Sequence, residues 1–267
     1  MIFEGLENIR KNTGAWKNTS INEKFNFLNN GACIQISRNM YKNIKKNYPN
    51  YSKEDVLRLY LSINKNPVEN GDYIPIKDNL VVYLINSKYD KSITGAPINK
   101  EKIFSPEIIG SWTNSPFLEE KNFNKKSLQT EKFSFSFYKE NDSIGEDKRQ
   151  EIVERYFKWI AYGSIWTTDA SKEAVQVFEF SMTNLEIIFG KADTTDAIIF
   201  FSMNDYENKG ISYPNELEIS FCAKRTPPST KEGVEHFLEF YQFENVSTPY
   251  PPFSMDGKGF NLLPTTS

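Results

Sequence analysis

Histidine is nearly absent from this chain: one imidazole, His236, stands among 267 residues. Metal sites built from several imidazoles are therefore excluded, and any Ser-His or Cys-His catalytic pair would have to use His236. Cysteine is almost as scarce. Cys33 and Cys222 lie 189 positions apart, so the expectation is two free, buried thiols and a reducing compartment, in which the sequons at Asn18, Asn141 and Asn245 carry no meaning. Long apolar runs are missing too. Leu80 to Ile85 and Ala197 to Phe201 are strand-sized, far short of the roughly 20 residues of a membrane span. The segment Met1 to Glu7 carries acids where a secretory signal needs a basic start and an apolar stretch. A cytoplasmic protein without membrane association is expected. The chain has no Gly-rich phosphate loop, no Gly-x-Ser-x-Gly elbow, no Cys-x-x-Cys and no Glu-x-x-His pair. P-loop hydrolysis, α/β-hydrolase chemistry and structural zinc lose their usual carriers, and no cofactor is implied.

Arginine is rare as well, 6 residues against 26 Lys and 27 Asn. That bias fits an AT-rich coding sequence and weakens any reading of a Lys or Asn cluster as selected for a ligand. What the chain does hold is aromatic: 21 Phe, 14 Tyr and 4 Trp, each able to bury a large area. Its length suffices for one large domain or two small ones with a sizeable core. The net charge of −3 conceals a gradient. Residues 1–66 carry 11 basic and 5 acidic side chains, residues 67–138 carry 9 of each, and residues 139–267 carry 12 and 21. Such asymmetry marks either a surface for a charged partner or two halves that attract each other.

Patterning predicts an α+β fold: a mostly antiparallel sheet body with two packed helices and a helical N-terminal part. The expected division is a basic helical segment over 1–70, a β-rich body over 71–245 and an extended Pro/Gly-rich tail over 246–267. Helices are expected at Asn39 to Asn47, from Ser52 through Leu61 behind a Ser52/Asp55 cap, at Glu146 to Tyr162 and at Lys231 to Gln242. A strand over His236 to Phe243 is the alternative for the last. Strands are expected at Ala32 to Ser37, Leu80 to Ile85 (central in its sheet), Ile108 to Trp112, Glu131 to Lys139, Ala174 to Ser181, Leu185 to Phe189, Ala197 to Met203 and Leu217 to Ala223. Loops are expected to dominate Asn12 to Asn30.

The sharpest local feature is Arg38 to Lys53, where cations alternate with aromatics. Tyr41, Lys42, Lys45, Lys46, Tyr48 and Tyr51 are the candidate binding residues, since cations can follow a phosphate backbone while rings stack on bases. The near-absence of Arg, the side chain that reads bases bidentately, favours an acidic protein surface over nucleic acid. A solvated helix face is the plainer alternative. Asp205-Tyr206-Glu207-Asn208-Lys209-Gly210 through Glu216 resembles the calcium loop of the EF-hand family, with an acid first, Gly sixth and Glu twelfth. That resemblance implies Asp205, Glu207 and Glu216 as metal ligands. Lys209 at a ligand position, Pro214, and strand-like flanks depart from the family and suit a polar hairpin loop. Gly110-Ser111-Trp112, followed by the alternating Phe133 to Phe137 strand, resembles the opening of lipocalins and implies a barrel around a small apolar ligand. A core Trp beside a tight turn is the alternative. The carboxylate pairs Glu151/Glu154, Asp193/Asp196 and Glu216/Glu218 would be the acid/base candidates of an enzyme working without His.

The leading expectation is a non-enzymatic protein-binding or assembly protein with an aromatic-rich surface, of the microbial or viral inhibitor, immunity or structural kind, whose partner is another protein or a second copy. A carboxylate-based hydrolase and a small-ligand or nucleic-acid binding domain are the alternatives.

Overall fold

Where the sequence suggests loops, helices open the chain. The computed structural model describes residues 5–29, 33–52, 55–64, 79–91, 100–109, 133–139, 175–204, 216–226, 236–242, 248–250 and 259–264. α1 (Leu6–Asn18) and α2 (Ile21–Asn29) are Asn-rich and mediocre helix formers, but tertiary burial of Ile9, Trp16 and Leu28 holds them. Ser20 and Glu23 add a reciprocal capping box at the start of α2, with Ser20 Oγ accepting from Glu23 N at 3.3 Å and Glu23 Oε2 from Ser20 N at 3.2 Å. The chain continues as β1 (Cys33–Ser37) and, without a loop, α3 (Arg38–Asn47), both at expected positions.

Ser52 and Asp55 do bond to each other, Asp55 Oδ2 accepting from Ser52 N at 2.8 Å, but they lead into a strand rather than the expected helix. β2 (Val56–Asn64) places Leu57, Leu59, Leu61 and Ile63 on one face and Arg58, Tyr60 and Ser62 on the other, a period of two. After it come β3 (Asn79–Asn86), α4 (Ser87–Lys91), a 3-10 turn at Lys100–Lys102, β4 (Glu107–Ile109), β5 (Phe133–Lys139) and β6 (Val177–Ser181). Leu185 to Phe189, expected as a strand, lies within α5 (Met182–Gly190), where the Ser181 hydroxyl accepts from Thr183 N. β7 (Thr194–Asn204) and β8 (Glu216–Arg225) come next, as expected. The described part of the expected Lys231 to Gln242 helix is β9 (His236–Gln242), and β10 (Thr248–Tyr250) is the last strand among the described residues. The expected helix at Glu146 to Tyr162 and the Gly110 to Trp112 motif lie outside the described residues.

The fold is α+β. One sheet has the order β4-β1-β7-β8-β9-β5 and the other β10-β6-β2-β3. Among the described residues every strand pairing is antiparallel except β5 with β9, which is parallel. That pair, and the division into two sheets, depart from the up-and-down barrel that a lipocalin resemblance implies. β3 lies at the end of its sheet rather than at the expected central position; an isolated bridge, Leu84 to Phe104, and a hydrogen bond from Ser105 Oγ to Val82 O lie along its outer side. β9 is a strand because β8 and β5 offer backbone edges on both sides, and its Phe and Tyr residues suit a pleated surface. α5 joins β6 and β7, which belong to different sheets, so a short capped helix carries the chain across.

Aliphatic and aromatic faces of the two sheets form one core. Ile34, Ile36, Ile199, Phe201 and Phe221 of the six-stranded sheet meet Leu57, Leu59, Leu61, Phe178 and Phe180 of the four-stranded one. Phe178 contacts Phe201 and Phe180 contacts Phe221, with ring centroids 6.3 and 5.3 Å apart. A second apolar cluster lies on the outer face of the four-stranded sheet, where Ile9 of α1 and Leu262 meet Tyr60, Tyr83, Ile85 and Val177. Cys33 and Cys222 are buried and form no disulfide, and burial pushes the Cys222 thiol well above its ordinary pKa.

Candidate functional site

α3 is an amphipathic helix fastened at both ends. At its start, Ser37 Oγ accepts from Met40 N. Arg38 donates to the carbonyls of Phe189, Lys191 and Thr194 at 3.2, 2.5 and 2.6 Å, which ties α3 to the C-terminal end of α5. A cation suits that helix end, where carbonyls lack partners. At the other end of α3, Lys102 Nζ donates to Asn47 O. Tyr48 OH donates to Lys102 O at 2.5 Å and accepts from Asn86 N at 3.1 Å.

Of the candidate binding residues, the rings go inward. Tyr41 is buried and stacks on Phe189 with centroids 4.5 Å apart and planes 13° from parallel. Tyr48 is buried and stacks on Tyr89 at 5.2 Å. Tyr51 is half-buried against the core, and burial first, Glu186 second, pushes its phenol pKa upward. The two inward rings are thus unavailable as a platform for bases in this conformation. Lys42, Lys45 and Lys46 are exposed, together with Asn43, Pro49 and Asn50. Lys45 reaches Glu186 of α5 at 3.1 Å and lies over the Tyr41 ring; its pKa is raised, chiefly by that hydrogen bond. The result is a rigid basic face.

The metal candidates fare differently. β7 and β8 pair antiparallel up to Asn204 opposite Glu216, so strands flank the calcium-loop candidate where the EF-hand family has helices. Asp205 and Glu207 lie outside the described residues, and of Glu216 only its place in β8 is described. Among the described residues no group of three or more His, Cys, Asp or Glu is placed to hold a metal ion. His236 lies in β9, paired in register with Phe133.

Among the carboxylate pairs, Asp193 and Asp196 have separate partners. Arg225 grips Asp193 bidentately at 2.9 and 2.5 Å, while Asp196 accepts from Gln35 at 2.9 Å and from Thr195 at 2.8 Å. Glu218 is buried and accepts from Ser202 Oγ at 3.1 Å. Glu151 and Glu154 lie outside the described residues.

A second constellation has no counterpart among the candidates drawn from sequence. Arg58 is fully buried in β2 and donates to Glu179 at 2.9 Å and to Asp90 at 2.5 Å. Tyr60 OH and Asn261 N also donate to Asp90. Three donors on one side-chain carboxyl group suit its ionised form, although burial pushes the Asp90 pKa up against the opposing pull of Tyr60 and Arg58. Burial and the Asp90 charge hold the Tyr60 phenol far above its ordinary value, so it stays a donor. The signal available in sequence is one cation inside the otherwise apolar run Val56 to Leu61.

Comparison with protein-family models, curated proteins and solved structures finds no match for this chain.

Proposed function

We propose that this chain is a non-enzymatic protein-binding or assembly protein, and that the lysine face of α3 engages an acidic protein surface. One observation carries the reading: Lys42, Lys45 and Lys46 project from a helix whose inner face and both ends are fixed to the rest of the fold. A preorganised charged face loses little conformational freedom on binding and steers an oppositely charged partner toward it. The aromatic excess lends less support than the composition suggests. Trp16, Tyr41, Tyr48, Tyr60, Phe178, Phe180, Phe201 and Phe221 are spent on the interior.

The test is retention of host macromolecules by the immobilised full chain, beside light scattering over a range of concentrations. The double substitution Lys42→Glu with Lys46→Glu is expected to leave unfolding stability within about 0.5 kcal/mol. It should abolish salt-sensitive retention of an acidic protein. A chain that remains monomeric and retains no macromolecule overturns the proposal. Retention of a 20-nucleotide single strand, lost in the same variant, transfers the face to the nucleic-acid reading.

A further inference from the structure

We propose that the groove between α1 and the outer face of the four-stranded sheet is a peptide-recognition site, and that this chain's own residues 259–264 fill it as an exchangeable occupant. The contacts are those of a ligand held by its main chain. Arg58 donates to Gly259 O at 2.9 Å, Arg10 to Asn261 O at 2.9 Å and Thr13 to Leu262 O at 2.7 Å. In the reverse direction, Asn261 donates through its backbone to Asp90 Oδ1 at 3.1 Å and through its side chain to Asp90 O at 2.6 Å. Side-chain selection is built in. The Phe260 ring lies 4.3 Å from the Arg58 guanidinium carbon and meets Tyr60 edge-on, Leu262 is fully buried with Ile9, Ile103 and Val177, and Pro264 rests against Gly14.

Three features distinguish this segment from ordinary tertiary packing. First, the receptor groups are organised by one another, since Arg58 is already held by Asp90 and Glu179 and Asp90 by Tyr60. Well-packed apolar side chains could stabilise a fold as well as a buried ion cluster does; here the cluster's remaining hydrogen-bonding positions address the segment. Second, residues 259–264 belong to no strand or helix, and side chains of α1, β2 and α4 supply the partners. Third, Gly259 adopts φ 64°, a left-handed conformation that turns its carbonyl toward Arg58 and that other residues adopt only with strain. The ligand class is therefore a short peptide presenting Gly-Phe-Asn-Leu, bound apart from the α3 face.

The experiment keeps the full chain. A site-specific protease sequence is placed within 251–258, the folded protein is cut, and retention of the released segment is followed by gel filtration beside circular dichroism. A fluorescent peptide covering 257–267 is then added. The segment should stay bound and exchange with the peptide saturably, and affinity should fall about tenfold or more when the peptide carries Phe260→Ala, which removes the ring over Arg58, or Asn261→Ala, which removes the side-chain hydrogen bond to Asp90 O. Uncut Gly259→Ala protein should take up the labelled peptide more readily than the uncut parent. Loss of the segment with no peptide binding by the folded remainder overturns the proposal. So does unfolding on cleavage, because the segment would then be core rather than ligand.

Discussion

Arg58 interrupts Val-Leu-x-Leu-Tyr-Leu, a run that would otherwise be apolar, and its surroundings explain how it is tolerated. Two carboxylates, a backbone carbonyl and an aromatic face surround the guanidinium. The other described arginines serve in the same way, Arg10 on Asn261 O, Arg38 on three carbonyls and Arg225 on Asp193. The planar five-donor fork suits such bridging better than an ammonium does. Asp90→Ala strips one carboxylate from Arg58 and removes the acceptor of Asn261 N. Because Asn261 keeps its side-chain hydrogen bond to the Asp90 backbone carbonyl, the loss is that of the carboxylate alone, and Asp90→Ala should lower unfolding stability by about 3–5 kcal/mol, the cost of breaking a buried ion pair, measured by urea denaturation. A loss below about 1 kcal/mol, the range of exposed pairs, would show that water replaces Asp90 at little cost.

At the scale of elements, the cap of α3 is the contact that sets where the helix starts. Ser37→Ala removes the acceptor for Met40 N and should cost about 1 kcal/mol, again by urea unfolding; no change would mean that the Arg38 clamp alone fixes the start. α3 is legible in the sequence because buried Tyr41, Ile44 and Tyr48 recur at helical spacing and Pro49 comes directly after them. β2 is not, for a physical reason. Ser52 and Asp55 make the local bond of a helix cap, yet that bond closes a turn, and the alternation from Leu57 to Ile63 makes the next element a strand. At α5 the difference runs the other way. A short, mostly apolar run suits a strand or a helix equally, and the need to cross between sheets selects the helix.

Across the whole molecule, the charge gradient becomes contact. Lys45 meets Glu186, and Arg58 meets Glu179, each joining the basic first quarter to the acidic second half. Acid should loosen the fold through such groups. Arg225 holds the Asp193 carboxyl below its ordinary value, so the pair stabilises the fold fully above the normal carboxylate range. That contribution is lost as the pH falls through the depressed folded value. Asp193 is half-exposed, so the amount is small. Asp193→Asn should cost about 0.5–1 kcal/mol at pH 7, with the difference from the parent shrinking toward pH 3 in urea titrations; a constant difference would show that the lost charge plays no part.

Local order determined much of this protein. Period-two runs marked β1, β5, β6 and β8, a continuous apolar run marked β7, helical spacing marked α3, and scarcity of His and Cys removed whole classes of chemistry. Tertiary structure decided the rest. Which strand became central, which way Tyr41 and Tyr48 turned, and which carboxylates received Arg58 depend on partners 32 to 201 residues away. No window of sequence contains both halves of such a contact. The lysines of α3 stayed outside because burying an ammonium without a partner costs more than hydrating it, and the tyrosines went inside because α5, α4 and the 3-10 turn offered them rings and an acceptor.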